Sequence, residues 1–572
     1  MKKVIPFLDW IKSYKKSDFF GDLPAGITVG IILIPQGMAY AMIAGLPPVY
    51  GLYAAIFPQI IYAFLGTSRQ LSVGPVAMDS LLVASSLSAI AVIGTEHYIS
   101  LAIVLALLMG IMQLFMGAFR LGFLVNFLSK PVISGFTSAA AIIIALNQFK
   151  NLLGIEALRS NRFHELFLDV VSKIGYMHVT TFLLGIGGVV VIKLFAAFLP
   201  KVPGALVVVI GGIVAAKYLA LDSMGVSIVG DIPSGLPAFS VPSASTSEVL
   251  QLLPVAFTLS LIAFMEAISV AKSVEVNHSY RVKPNQELIA LGCSNIIGSL
   301  FMSYPTTGGF SRTAVNDKAG AKTGVSSLIA AGIIALTLLF FTSVFYYLPK
   351  AILAAIIVTA VLGLIDFKYP LRLWRNRKEE FILLVFTFLI TLFVGISVGI
   401  ISGVVLSLLL LIYRTTKPHV AVLGNYPGTS MYKNSNRFST TTQRKDVLIV
   451  RFDSQLYFAN SNFFRERILE LIASKGSEIS KPGLLVLSVE GVNFIDSSAA
   501  SMLRELMQEI QGKNIRIAIS NATGPVRDIL KKSEIINELP KDSLYVDVQT
   551  AIDSFDGKEI NRYEEIVSQT NL

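Results

Sequence analysis

Long apolar runs, broken by charges, Pro/Gly pairs or short polar loops, fill the chain from about residue 23 to about residue 415. Many reach the ~20 residues that a helix needs to cross a bilayer. The pattern predicts spans at 23–45, 49–66, 75–93, 98–119, 131–152, 177–199 and 203–219. A polar, proline-containing connection over 220–248 leads to a second set at 250–274, 286–303, 310–320, 324–348, 349–366, 379–396 and 397–415. Past residue 416 the period changes. Short β-branched runs at 447–452, 483–489 and 515–519 predict strands, and 461–473, 497–511 and 524–532 have helical spacing with an apolar face, so a small α/β domain follows the membrane part.

Fourteen spans return the carboxyl terminus to the side of the amino terminus. Loop charge agrees: Lys272, Arg281 and Lys283 follow the eighth span, and Lys368, Arg372, Arg375, Arg377 and Lys378 follow the twelfth, which assigns both loops and both termini to the cytoplasm. The connection carrying Asp222 and Asp231 suits the outside; Arg159 and Arg162, in the other long outer loop, are a mild departure. The lysine-bearing start of the chain lacks a signal-peptide core and is expected to remain along the inner face of the membrane. The resulting division is 1–20 amino-terminal segment, 21–416 membrane domain, 417–442 linker, 443–560 α/β domain and 561–572 tail.

With 53% hydrophobic and 15% charged residues and a mean hydropathy of +0.67, the composition excludes an ordinary soluble protein. The net charge of +10 reflects basic inner loops and tail rather than a nucleic-acid surface. A single cysteine, Cys293, excludes an intrachain disulfide framework, and the histidines, His278 among them, lack metal-ligand spacing. No nucleotide loop, metal cluster or nucleophile elbow marks an enzyme or an ATP-driven pump, and no cofactor is expected.

The halves echo each other. Leu23-Pro24 precedes Gln36 by the same thirteen-residue interval that separates Leu253-Pro254 from Glu266, and Ser72-Val73-Gly74-Pro75-Val76 precedes the third span as Thr307-Gly308-Gly309-Phe310-Ser311 precedes the tenth. Matching breaks at corresponding places point to inverted repeats, here seven plus seven spans, with a binding site at the breaks. Helix N-termini there attract anions. Arg312 costs roughly 2.5–3.5 kcal/mol at a membrane helix centre. It either snorkels to an edge or neutralises an anion held by the N–H groups of Phe310, Ser311, Val76 and Ala77. Gln36 and Tyr40, at i and i+4, share a helix face that reaches the same place. Glu266 either pairs with Arg312 structurally or takes up a proton or cation that couples transport, and Ser269, one turn on, lines the site or packs as a small residue. Asp79 is a further acidic group, either protonatable or paired.

The blocks Ile34-Pro35-Gln36-Gly37-Met38-Ala39-Tyr40-Ala41, Leu46-Pro47-Pro48-Val49-Tyr50-Gly51-Leu52-Tyr53, Phe64-Leu65-Gly66-Thr67-Ser68-Arg69, Pro284-Asn285-Gln286-Glu287-Leu288 and Gly309-Phe310-Ser311-Arg312-Thr313-Ala314-Val315-Asn316 closely resemble the sulfate permease (SulP/SLC26) family. The resemblance implies a polytopic helical fold of fourteen transmembrane segments in a 7+7 inverted repeat with core and gate domains, elevator-like alternating access and a homodimer. It carries the anion site onto Gln36, Tyr40, Val76, Ala77, Ser311 and Arg312, and the coupling position onto Glu266. A glutamate there, where sodium-coupled bicarbonate members have aspartate, resembles the proton-coupled sulfate and dicarboxylate members. The tail resembles a STAS domain. Phe494-Ile495-Asp496-Ser497-Ser498-Ala499-Ala500 matches a turn that is phosphorylated on serine in anti-sigma-factor antagonists, but Ala499 stands where these usually have glycine. Helix capping by Asp496 and Ser497 is therefore the favoured reading over regulation at Ser497.

The expectation is a secondary transporter of small oxyanions in the inner (plasma) membrane, with sulfate and protons as favoured substrate and coupling ion. Dicarboxylate or bicarbonate carriage, symport or exchange, is the alternative within transport. A membrane-anchored scaffold that recruits a protein partner through its STAS tail is the alternative outside it.

Overall fold

The computed structural model describes residues 6–123, 129–156, 162–199, 202–476, 483–533, 535 and 543–558; Arg159 and the tail 561–572 lie outside the described residues. The chain forms two compact units, Met1–Ser407 and Leu408–Leu572.

A helix occupies each of the fourteen apolar runs. The first starts earlier than predicted, running Lys16–Ile43 with Pro24 and Pro35 inside it. The eighth, Thr246–Glu275, likewise encloses Pro254. These prolines therefore do not open their helices as the sequence pattern suggested. In both halves a threonine four residues on back-bonds to the proline carbonyl, Thr28 to Pro24 at 2.7 Å and Thr258 to Pro254 at 2.9 Å, a contact of the kind that bends helices. The second run divides into Val49–Tyr53 and Phe57–Leu65 because Pro58 cannot donate a backbone hydrogen bond and fits only the first turn of a new helix. The third and tenth, Ala77–Leu87 and Phe310–Lys318, have only 11 and 9 residues. At about 1.5 Å per residue they are half-helices, far short of a ~30 Å hydrocarbon core.

Packing repeats when the halves are exchanged. Lys16–Ile43 packs on Val325–Phe340 as Thr246–Glu275 packs on Glu96–Ala118, and Lys130–Leu153 packs on Lys378–Phe393 as Lys350–Leu362 packs on Val179–Phe198. Close approach depends on small residues. A Cβ on Gly292 would stand 2.6 Å from the Leu114 backbone nitrogen, and one on Gly110 would stand 2.8 Å from the Gly292 carbonyl oxygen.

The two half-helices are tied together by β1 (Val73–Gly74) and β2 (Thr307–Gly308), an antiparallel pair with Val73 opposite Gly308 and Gly74 opposite Thr307. The second unit carries a six-stranded sheet in the order β4-β3-β5-β6-β7-β8. Its strands are β3 (Val420–Asn425), β4 (Tyr432–Asn434), β5 (Val447–Phe452), β6 (Leu484–Ser488), β7 (Arg516–Ser520) and β8 (Leu544–Tyr545). Strands β5 to β8 are parallel, with β3 and β4 added antiparallel. Alternate residues face opposite cores: Leu448, Val450, Leu485 and Ile517 meet Leu503, Leu506 and Val526, while Val447, Ile449, Leu484 and Val486 meet Val548 and Ile552. The segment read as a linker, 417–442, thus contributes two strands to this sheet; their short, polar-interrupted runs hid them.

Overpacking a membrane core costs about 1–3 kcal/mol. Gly292→Val is therefore expected to lower the thermal unfolding midpoint of the detergent-purified protein measurably. Gly187→Ala, where nothing lies within 4 Å of the added methyl, leaves that midpoint unchanged.

Candidate functional site

The site is assembled by what happens to the backbone at the two breaks. Asn295 clamps one of them: its Oδ1 accepts the Thr306 N–H at 2.9 Å and its Nδ2 donates to the Thr306 carbonyl at 3.0 Å. Thr307 Oγ1 donates to the Ala263 carbonyl at 2.6 Å, which fixes β2 one turn from Glu266. On the other strand Ser72 N–H donates to Thr313 Oγ1 at 3.0 Å, and its carbonyl accepts the Gly309 N–H at 3.0 Å. These bonds satisfy polar groups that lipid could not. They also hold Val76 and Gly309 as the N-caps of the two half-helices, neither of which has a side-chain cap. The first N–H groups of a helix have no intrahelical acceptor. Two positive helix ends, around Ala77 and Phe310, consequently meet at the β1–β2 crossing.

Arg312 is 2% exposed; it does not snorkel. Its Nη1 donates to the Pro75 carbonyl at 2.7 Å, while Nε and Nη2 are buried without a partner. Those two nitrogens form one edge of the guanidinium, the fork that grips an oxyanion through two parallel hydrogen bonds. Gly309 lets it lie there. A Cβ on Gly309 would come within 2.8 Å of Arg312 Cζ, and one on Gly74 within 3.5 Å of Nη2.

Around this edge stand other groups in the same condition. Gln36 Oε1, Glu266 Oε2 and both carboxylate oxygens of Asp79 are buried with no hydrogen-bond partner. Arg312 lies in the electrostatic field of Tyr40, Glu266 and Tyr304, and Asp79 in that of Glu266. Among the described residues Arg312 and Glu266 do not form an ion pair, the structural alternative for Glu266. Tyr40 is 5% exposed. Val76 is partly buried and Ala77 buried, whereas Phe310 and Ser311 are exposed, on the open side of the site. Ser269 is exposed as well and makes no hydrogen bond; the helix turns Ala267 and Ile268 inward instead.

One residue with no role in the sequence reading, Tyr304, belongs here, and Asp79 takes a clearer place. Tyr304 is wholly buried and its hydroxyl lies 3.1 Å from Ser80 Oγ, joining the residue before Pro305 to the opposite half-helix. Asp79, acidic and fully buried at the third position of its half-helix, is central rather than incidental. Among the described residues no three His, Cys, Asp or Glu side chains cluster as metal ligands.

The profile of the sulfate permease family matches residues 19–387, and that of the STAS domain matches residues 439–551. The chain belongs to the sulfate permease family. The permease is 40% identical to "Sulfate transporter 4.1, chloroplastic" of Arabidopsis thaliana over 565 residues, spanning 96% of this chain and 82% of that one. It is 34% identical to "High affinity sulfate transporter 1" of Stylosanthes hamata, over 98% of this chain and 87% of that one. The solved structure of the murine Slc26a9 anion transporter in the inward-facing state superposes with a TM-score of 0.89 at 27% identity, covering 97% of this chain and 94% of that one. Family membership makes this a multi-pass membrane anion transporter, not an enzyme, with a carboxyl-terminal STAS domain. In that domain the Ser497–Gln511 helix is capped by Asp496 alone, whose Oδ1 accepts the Ala499 N–H at 2.8 Å. Ser497 is its exposed first residue, and Ala499 is fully buried in the core.

Gly309→Ala is expected to push the Arg312 guanidinium off the crossing. Substrate binding to the purified permease, measured calorimetrically, should weaken at least about tenfold, the loss of roughly one charge-assisted hydrogen bond, with the fold retained by circular dichroism.

Proposed function

We propose that this permease takes up a small oxyanion, sulfate in the first instance, by proton-coupled secondary transport. The observation that carries the reading is the buried Nε/Nη2 edge of Arg312, unpaired and set between two uncapped helix N-termini. An unsatisfied buried donor costs about 1–3 kcal/mol and more when charged; a tetrahedral or planar oxyanion across that edge would recover it. Gln36 and Tyr40 then complete the wall, with the N–H groups at Val76–Ala77 and Phe310–Ser311 taking the remaining oxygens. Sulfate is favoured because relatives that cover nearly the whole chain are named sulfate transporters.

Coupling follows from charge balance. With Glu266 and Asp79 both ionised, two carboxylates would oppose one guanidinium, and an entering anion would be repelled. A proton shared between Glu266 and Asp79 removes that repulsion, so the anion and the proton bind together and leave together. Asp79 is well placed for this because an ionised carboxylate in the first turn of a helix competes for the same dipole as the substrate.

Movement follows from the division of contacts. The side chains of the site lie on Lys16–Ile43, Ala77–Leu87, Thr246–Glu275 and Phe310–Lys318, which pack among themselves, while Lys130–Leu153, Val179–Phe198, Gly204–Tyr218, Lys350–Leu362 and Lys378–Phe393 form a second packed group that meets the first where Lys350–Leu362 and Gly204–Tyr218 touch Lys16–Ile43 and Lys130–Leu153 touches Ala77–Leu87. Displacement of the first group against the second, carrying the anion with it, supports an elevator-type mechanism.

In proteoliposomes with an inward proton gradient, Arg312→Ala should abolish sulfate uptake, and Arg312→Lys should fail to restore it because ammonium cannot supply the fork. Uptake equal to wild type in Arg312→Ala overturns the anion site. Glu266→Gln should hold the neutral form at every pH, so that sulfate counterflow persists while acceleration by the proton gradient is lost; a wild-type response to the gradient rules out coupling through Glu266.

A further inference from the structure

A cavity of about 190 Å³ opens where the amino-terminal segment meets three connections of the membrane domain, contributed around Arg69, around His278–Tyr280 and around Lys322. Loop charge assigns all of these segments to the cytoplasmic side. None of the transport-site residues lines the cavity, although Arg69 stands seven residues before Val76 and Lys322 ten residues after Arg312.

Arg69 is held in place from behind, and Lys322 is fixed at its backbone. Arg69 lies 5.5 Å over the Tyr280 ring, and Tyr280 is itself anchored by donating to Gln70 Oε1 at 2.6 Å and by stacking on His278. His278 Nε2 is 2.6 Å from Asp317 Oδ1. Lys322 is positioned through its backbone N–H, which donates at 2.7 Å to the wholly buried Asp22; the same carboxylate accepts the Thr323 N–H and hydroxyl. Among the described residues neither the Arg69 guanidinium nor the Lys322 ammonium has a carboxylate at ion-pair distance. Ser13 and Ser279 add hydroxyls, and Asp18, which caps the Lys16–Ile43 helix through the Lys15 N–H at 2.9 Å, is the acid on the rim. Trp10, 4% exposed and packed edge-on against Phe7, closes one wall, while Phe7 seats on Phe64 of the membrane domain at 4.9 Å.

A guanidinium held over an aromatic ring, an ammonium free at an exposed position and the Ser279 hydroxyl beside them match a phosphate. An acceptor carboxylate on the same rim matches a hydroxyl next to that phosphate. We infer that this cavity binds a phosphate ester bearing a free hydroxyl, as in an anionic lipid headgroup or a soluble polyol phosphate, and that the bound ester clamps the amino-terminal segment to the helices that carry the transport site. The Trp10 wall at the membrane boundary suits a headgroup reaching in from the lipid.

Trp10 reports on its own cavity, since the only other tryptophan is Trp374. In the full-length Trp374→Phe protein, in nanodiscs of phosphatidylcholine alone, Trp10 emission is titrated with glycerol 3-phosphate; a parallel series of discs contains increasing phosphatidylglycerol. A saturable change is expected in at least one series. Saturation with glycerol 3-phosphate identifies a soluble ester, and saturation with phosphatidylglycerol alone identifies a headgroup. Adding Arg69→Gln and Lys322→Gln together should shift the half-saturation point at least about tenfold, as expected for losing two charge-assisted contacts. Lys322→Gln by itself, at an exposed position, should shift it several-fold even if the double variant folds poorly. No saturable change in either series, or the same half-saturation in Lys322→Gln and the double variant as in the parent, overturns the site.

Discussion

Everything in the membrane domain depends on one constraint: backbone polar groups inside the hydrocarbon need partners within the protein. Two half-helices violate the usual solution, because each leaves a helix end and a stretch of non-helical chain at depth. The structure meets the requirement by pairing the two violations. β1 and β2 hydrogen-bond to each other, Asn295 and Thr313 take the flanking groups, and only the helix N-termini are left open. Their unsatisfied N–H groups are thus the residue of an otherwise complete accounting, and they stand at the crossing of the repeats.

Arg312 fits the same logic. A guanidinium in this position is expensive, and the structure recovers only the Nη1 contact to Pro75. The unpaired edge, both carboxylate oxygens of Asp79, one of Glu266 and the Gln36 oxygen form a group of polar atoms that this packing leaves unsatisfied. Polar networks left incomplete in a core are high in energy. Here the incompleteness is confined to the neighbourhood of the two breaks, beside the backbone of Gly309.

The carboxyl-terminal domain is held by ordinary means, a sheet with apolar residues alternating to two faces and helices covering both. Its Asp496 cap shows the economy of a strand-to-helix turn: one oxygen takes the Ala499 N–H while the other takes the Phe458 N–H at 2.9 Å from a neighbouring loop. That second bond explains why the cap falls to Asp496 and leaves the Ser497 side chain outside.

Much of this was legible in the chain. Span number, the repeat and the breaks at Gly74-Pro75 and Gly308-Gly309 follow from local composition, because hydrocarbon selects for apolar length and because proline and glycine act on the backbone where they stand. Arg312, Gln36, Tyr40 and Glu266 were legible for the same reason: polarity in an apolar run announces itself. Tertiary structure alone decided the partners. Asn295 with Thr306, Tyr304 with Ser80, Thr307 with Ala263 and Asp22 with Thr323 are ordinary polar residues until folding brings them together, three of the four pairs across the two halves or between distant helices. The same holds for Asp79, which could have been paired and is not. Sequence determines where a polar group must be accommodated; only the packed helices determine which group answers it and which is left for the substrate.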